Sequence, residues 1–153
     1  MKLVVLLTSL LMTSNVIAFE QAALDRLLES HQCHRCDLSH SDLSHHKLSR
    51  ADFSGANLNY AQLNNATLRG AWFAHAKMQS ANLEHANLSK SILDYALLEN
   101  ANLRHANLKN TQLIFTNFTN ADLTDANLEG SLQRGTVFCN TTMPNGHINN
   151  SNC

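Results

Sequence analysis

From Cys36 to Asn140 the chain repeats itself every five residues, and this period limits its fold more than any other feature. ANLRHANLKN, residues 101–110, shows the unit twice. A helix returns to one side after about 3.6 residues and a strand after about two. A bulky residue at every fifth position would travel round a helix in steps of five times about 100°. On a strand it would change faces at each repeat. The chain must therefore turn once per unit. The 105 residues make 21 units, and the middle residue of each is apolar, Leu38, Leu43, Leu48, Phe53 and onward to Phe138, with Gln133 the exception. The residue two before the middle is Ala in 13 units and Ser, Thr or Cys in seven, leaving only His46. One small and one large side chain per unit point inward. A coil that turns the same way after each unit satisfies this pattern, and its successive turns can pair their backbones as parallel strands do.

Ala51-Asp52-Phe53-Ser54-Gly55, Ala56-Asn57-Leu58 and Ala121-Asp122-Leu123 fit the pattern A(D/N)LXX. In this the chain resembles the pentapeptide repeat family. The resemblance implies an all-β fold, a right-handed quadrilateral β-helix with four units per coil, Leu and Phe stacked at its centre and small residues at its inner corners. Residues 36–140 then form about five coils, and stacking at about 4.8 Å gives a rod of roughly 25 Å. A leucine-rich repeat would instead need a period of about 20 to 29 residues without a five-residue subdivision. His46 and Gln133 fall in the first and last coils, where a polar side chain can still reach water or a cap.

Both ends depart from the repeat. Residues 1–18 have Lys2, an apolar run from Leu3 to Met12 and a Val16-Ile17-Ala18 site, the layout of a signal peptide cleaved after Ala18. The apolar run is too short for a membrane span of about 20 residues. The residue directly after Ala18 is Phe19, not a cysteine that could carry a lipid. A periplasmic or secreted location is expected, with no integral membrane segment in the mature chain. Residues 19–35 are assigned to a capping segment with the CxxC. Within it Phe19, Ala23, Leu24, Leu27 and Leu28 stand at helical spacing and predict a short amphipathic helix over the first coil. Residues 141–153 contain the only proline and an Asn145-Gly146 turn, and predict a tail folded back on the last coil.

Four cysteines remain after residue 18, an even number that favours disulfides in an exported chain. Local pairing of Cys33 with Cys36 and of Cys139 with Cys153 is favoured, because the repeat separates the two sets; other connectivities stay open. Cys33-His34-Arg35-Cys36 has the spacing of two zinc ligands, and His31, His40, His45 and His46 lie near it in the chain. There is no second CxxC, and Asp37 in place of a histidine after Cys36 disfavours haem attachment. At 20 residues per coil His85 and His105 share an outward column with Asp125, an arrangement that could hold a metal or form a solvated ladder. A structural disulfide and a solvated ladder are the preferred readings, and no cofactor is implied.

Loss of Lys2 with the signal peptide leaves 10 basic and 12 acidic groups, a net charge of −2, which argues against nucleic acid as a partner. No nucleophile, base and oxyanion donor stand in a recognisable pattern, so no enzyme is expected. Some pentapeptide repeat proteins bind type II topoisomerases as DNA mimics, but the export signal and the cations of this chain oppose that role. Laid over one another, units 71–75, 91–95, 111–115 and 131–135 put Trp72, Ile92, Tyr95, Ile114, Phe115 and Leu132 on one side, with Leu97 and Val137 adjoining. Such an apolar area predicts contact with another protein or a second copy. Another side carries Lys47, Arg50, Arg69, Lys90 and Lys109 and is expected to be solvated.

Overall fold

The structure, a computed structural model, describes residues 21–153. The signal peptide expected at residues 1–18, and Phe19, lie outside the described residues. Among those described, no helix is long and apolar enough to cross a membrane.

Residues 21–30 form a helix that buries Ala23 and Leu27 on the first coil, with Leu24 partly covered. Leu28 stands 42% exposed, so the apolar face is narrower than the spacing predicts. The helix stops at His31, whose φ of 57° is left-handed and whose N–H donates to the Leu27 carbonyl at 2.9 Å.

Beyond it the chain winds as a β-helical solenoid. The second residue of each unit pairs in parallel with the residue 20 positions later, from Gln32 with Asp52 to Asp122 with Thr142. Four units therefore complete one coil. The hydrogen bonds run along the stacking direction: Leu58 N–H donates to Lys77 at 2.7 Å, and Asn57 N–H to Cys36 at 2.9 Å. Within a coil, Ala56 N–H closes the corner on the Phe53 carbonyl at 2.9 Å. Each such corner needs a left-handed residue, and every fifth residue from Arg35 to Asn140 has φ between 52° and 68°. Only four of these are glycines, Gly55, Gly70, Gly130 and Gly135, so most corners carry a side chain against a cost of about 1 kcal/mol each.

The preference for Asn or Asp at the second position has a local cause. Its side-chain oxygen accepts the N–H of the fourth residue, which finds no backbone carbonyl on a neighbouring coil: Asp52 from Ser54 at 2.9 Å, Asn107 from Lys109 at 3.1 Å, Asn117 from Thr119 at 2.9 Å. Where the fourth residue is Ser or Thr, its hydroxyl can join. The carboxyl of Asp42 is held below its usual range by the Ser44 hydroxyl and N–H. At Asp37 and Asp122 burial pushes upward, but the bonds from Ser39 and Asn57, and from Thr124 and Arg104, together outweigh it and lower both groups.

Inside, the middle residues form a closed apolar column from Leu38 to Leu123 with Ala at the corners. Each Leu so buried contributes about 1.5–3 kcal/mol relative to exposure. Thr replaces Ala where its hydroxyl finds a carbonyl, as Thr116 to Leu93 at 2.8 Å and Thr136 to Leu113 at 2.7 Å. The polar exceptions are half-buried or outside: His46 Nδ1 lies 2.9 Å from the Ser44 carbonyl, and Gln133 is exposed, donating to Ser131 at 2.7 Å.

The register is longer than the interval 36–140. Cys33 is a buried middle residue, its N–H donating to Asp52 at 2.8 Å, so residues 31–35 are a coil unit and not part of the cap. At the other end Thr141, Thr142 and Met143 keep the pattern: Thr141 is buried, Leu123 N–H donates to Thr142 at 2.8 Å, and Met143 packs on the core. There strand β1 (Thr141–Thr142) pairs antiparallel with β2 (Ile148–Asn149). The returning tail covers part of the last coil's edge, with Phe138 N–H on Ser151 at 3.1 Å and Asn140 N–H on the Asn150 side chain at 2.9 Å.

Candidate functional site

The 20-residue register places Trp72, Ile92, Gln112 and Leu132 in one column, each bridged to the next. At the corner beside them His75, Tyr95 and Phe115 stack, the first two rings 4.9 Å apart and the second two 5.3 Å. Phe115 then lies over Gly135, where an added Cβ would meet its ring at 2.5 Å. Trp72, Tyr95, Phe115 and Leu132 are between 48% and 54% exposed, whereas Ile92, Leu97, Ile114 and Val137 are half-buried and back the patch. Leu97 and Val137 are not neighbours, because Asn117 bridges both and separates them. None of Trp72, Ile92, Gln112 and Leu132 is the Asn or Asp that caps the fourth residue at other second positions, such as Asp52 below them. Among the described residues, the N–H groups of Ala74, Asp94 and Arg134 donate to no protein acceptor, while Asp94 accepts from Ile114 at 3.0 Å. Apolar side chains thus stand here at the expense of local backbone hydrogen bonds.

Cys33 is bonded to Cys36 and Cys139 to Cys153, with no free cysteine among the described residues. Zinc takes thiolates, and sulfurs joined to each other offer none. Cys33 and Cys36 thus form the favoured disulfide, at the start of the first coil, with His34 exposed beside it. His85 and His105 do meet, but face to face, 4.7 Å between centroids and 6° between planes. Imidazole lone pairs lie in the ring plane, so those of stacked rings run parallel. A shared zinc at about 2.0–2.1 Å from each nitrogen would require the rings to rotate. His105 Nδ1 is 3.7 Å from Asp125, and among the described residues no three His, Cys, Asp or Glu side chains converge as a metal site.

The sequence profile of pentapeptide repeats matches in eight copies, over residues 32–70, 61–94, 68–104 and 91–132. The chain belongs to the pentapeptide repeat family. Among solved structures, a pentapeptide repeat protein of the cyanobacterium Cyanothece 51142 is 28% identical, with 76% of this chain and 92% of that one covered and a TM-score of 0.51. One from Nostoc PCC 7120 is 24% identical over 80% and 92%, with a TM-score of 0.54. A thylakoid-lumen member from Arabidopsis thaliana is 31% identical over 71% and 66%, with a TM-score of 0.28. No curated protein sequence matches.

As a pentapeptide repeat protein the chain is a repeat scaffold whose individuality lies in its outward columns. Tyr60, 53% exposed and stacked on His40 at 4.9 Å, belongs to them and escaped the sequence reading, although it holds the same fifth position as Tyr95 and Phe115. Ile148, 54% exposed on the tail, escaped as well. The basic side divides: Lys109 pairs with Glu129 at 2.9 Å, while Ser49, Arg50, Arg69, Gly70 and Lys90 line a depression of about 590 Å³.

Proposed function

We propose that this chain is a non-enzymatic, exported scaffold that contacts another protein or a second copy of itself through the corner of Trp72, Tyr95 and Phe115. One observation carries the reading: four second-position residues in a single column omit the backbone-capping Asn or Asp, and large apolar side chains stand half exposed there and at the corner beside them. Aromatic residues of this kind, fixed by stacking, are the anchors that dominate protein contacts. The two disulfides favour an oxidising compartment, and with the layout of residues 1–18 they support periplasmic or secreted residence. The family likeness supports a right-handed, four-sided winding of about five coils.

The test is the pair Trp72→Ser and Phe115→Ser in the mature protein. Its mass by light scattering is expected to fall to that of one chain if the contact is with itself; otherwise a partner captured by the wild type is lost. A wild type that is monomeric and captures nothing sinks the reading.

A further inference from the structure

The depression on the basic side has the donors of an anion site. Arg50, Gly70 and Lys90 occupy the fifth position on three successive coils, in the register set by Lys47 with Thr67 and Thr67 with Asn87. Side chains at this position lean toward the following coil, as Phe115 does over Gly135. The Arg50 stem does the same, its Cγ 3.6 Å from the place of a Gly70 Cβ, so it lies over a gap that a larger residue would fill, and Lys90 lines the same depression. Arg69 lines the same gap. Among the described residues none of these three cations pairs with a carboxylate, unlike Lys109 and Arg104. Like charges brought together without an opposing group are unfavourable.

A second, independent observation concerns the backbone. On this side Asn87, Asn107 and Asn127 cap the N–H groups of Ser89, Lys109 and Glu129. At the depression that position holds Lys47 and Thr67, and the N–H groups of Ser49 and Arg69 donate to no protein acceptor among the described residues. The depression is therefore lined by three cations without a paired carboxylate and by two residues, Ser49 and Arg69, whose main-chain N–H groups have no protein acceptor. Arginine forks and backbone N–H groups together suit a compact anion with several oxygens.

We propose that Arg50, Arg69 and Lys90 bind a phosphate group, free or carried as a monoester, in the gap over Gly70. The site is separate from the aromatic corner and does not depend on it. Titration of the full chain with inorganic phosphate, followed by calorimetry and by ³¹P line broadening, is expected to show saturable binding at one site per chain. Changing Arg50, Arg69 and Lys90 together to Gln should abolish it, and Arg69→Gln alone should weaken it by about tenfold, as for one charge-assisted hydrogen bond. Thr67→Asn supplies an internal acceptor for the Arg69 N–H without altering charge, and should weaken binding a few-fold. Lys109→Gln should leave it unchanged. Circular dichroism would check that each variant is folded. Sedimentation with phosphatidate vesicles, against phosphatidylcholine alone, identifies the source: association displaced by phosphate marks a lipid headgroup, and binding of free phosphate without association marks a soluble ligand. No saturable binding of either, a triple variant that binds like the wild type, or an equal loss in Lys109→Gln and Lys90→Gln would overturn the proposal.

Discussion

Phe53 and Phe73 stack inside the coil at 4.9 Å and 3°; Tyr95 and Phe115 stack outside it at 5.3 Å and 22°. The two pairs arise from the same cause, a register that sets every residue over the one 20 positions earlier. Their energetic roles nevertheless differ. The inner rings are fully buried and locked between neighbours, while the outer ones are 48% and 50% exposed. Stacking in this fold is thus imposed by geometry and says little about stability. Burial decides which rings hold the molecule together and which remain available to a partner.

The comparison can be broken by substitution, starting where the effect is largest. Phe73→Ala empties a fully buried site and is expected to cost about 3–5 kcal/mol in chemical denaturation. A loss below about 1 kcal/mol would mean that the column collapses to fill the gap and that burial is not decisive. Replacing Cys139 and Cys153 by Ser opens a loop of about 15 residues and should lower stability by around 3 kcal/mol. A loss near zero would show that the tail's hydrogen bonds alone hold the last coil. Phe115→Ala removes only a half-exposed ring and should cost about 1 kcal/mol or less, with the thermal midpoint nearly unchanged.

The smallest effect is electrostatic. Burial raises the Asp122 carboxyl, but bonds from Thr124 and Arg104 outweigh it and leave the group lowered. Its unfolded value is about 3.9. The ionised form is thus favoured in the fold, and its contribution is complete above about pH 4 and is lost as pH falls through the lower folded value. Solvent screening keeps this contribution small, because the Arg104 and Asp122 side chains are 42% and 37% exposed. Asp122→Asn keeps an acceptor for the Thr124 N–H while removing the titration, so it should shrink the drop in melting temperature between pH 7 and pH 3. An unchanged drop would assign acid sensitivity to other carboxylates.

The core was legible because its two rules, a small residue and then a large one two places on, need nothing but the period. The ends were less so. Cys33 draws attention as chemistry and hides its place as a middle residue, and Thr141-Thr142-Met143 replaces both signature residues while still filling the same positions. The aromatic corner follows from aligning the chain at 20 residues, yet exposure does not: Ile92 and Ile114 are covered by neighbours whose lean is set by the left-handed corners. The cations of the basic side can be read directly. The gap over Gly70 and the uncapped N–H groups of Ser49 and Arg69 become meaningful only once the work of the second-position Asn is known.

The two periods of this chain differ, five inside and 20 outside. A deletion of one whole unit would leave every later Leu in the core and yet move every later surface residue a quarter of the way round. Dropping residues 101–105 would keep a sound column while parting Phe115 from Tyr95 and Lys109 from its place over Ser89. Gain or loss of repeats can therefore preserve the fold in steps of five, but preserves what the surface does only in steps of 20.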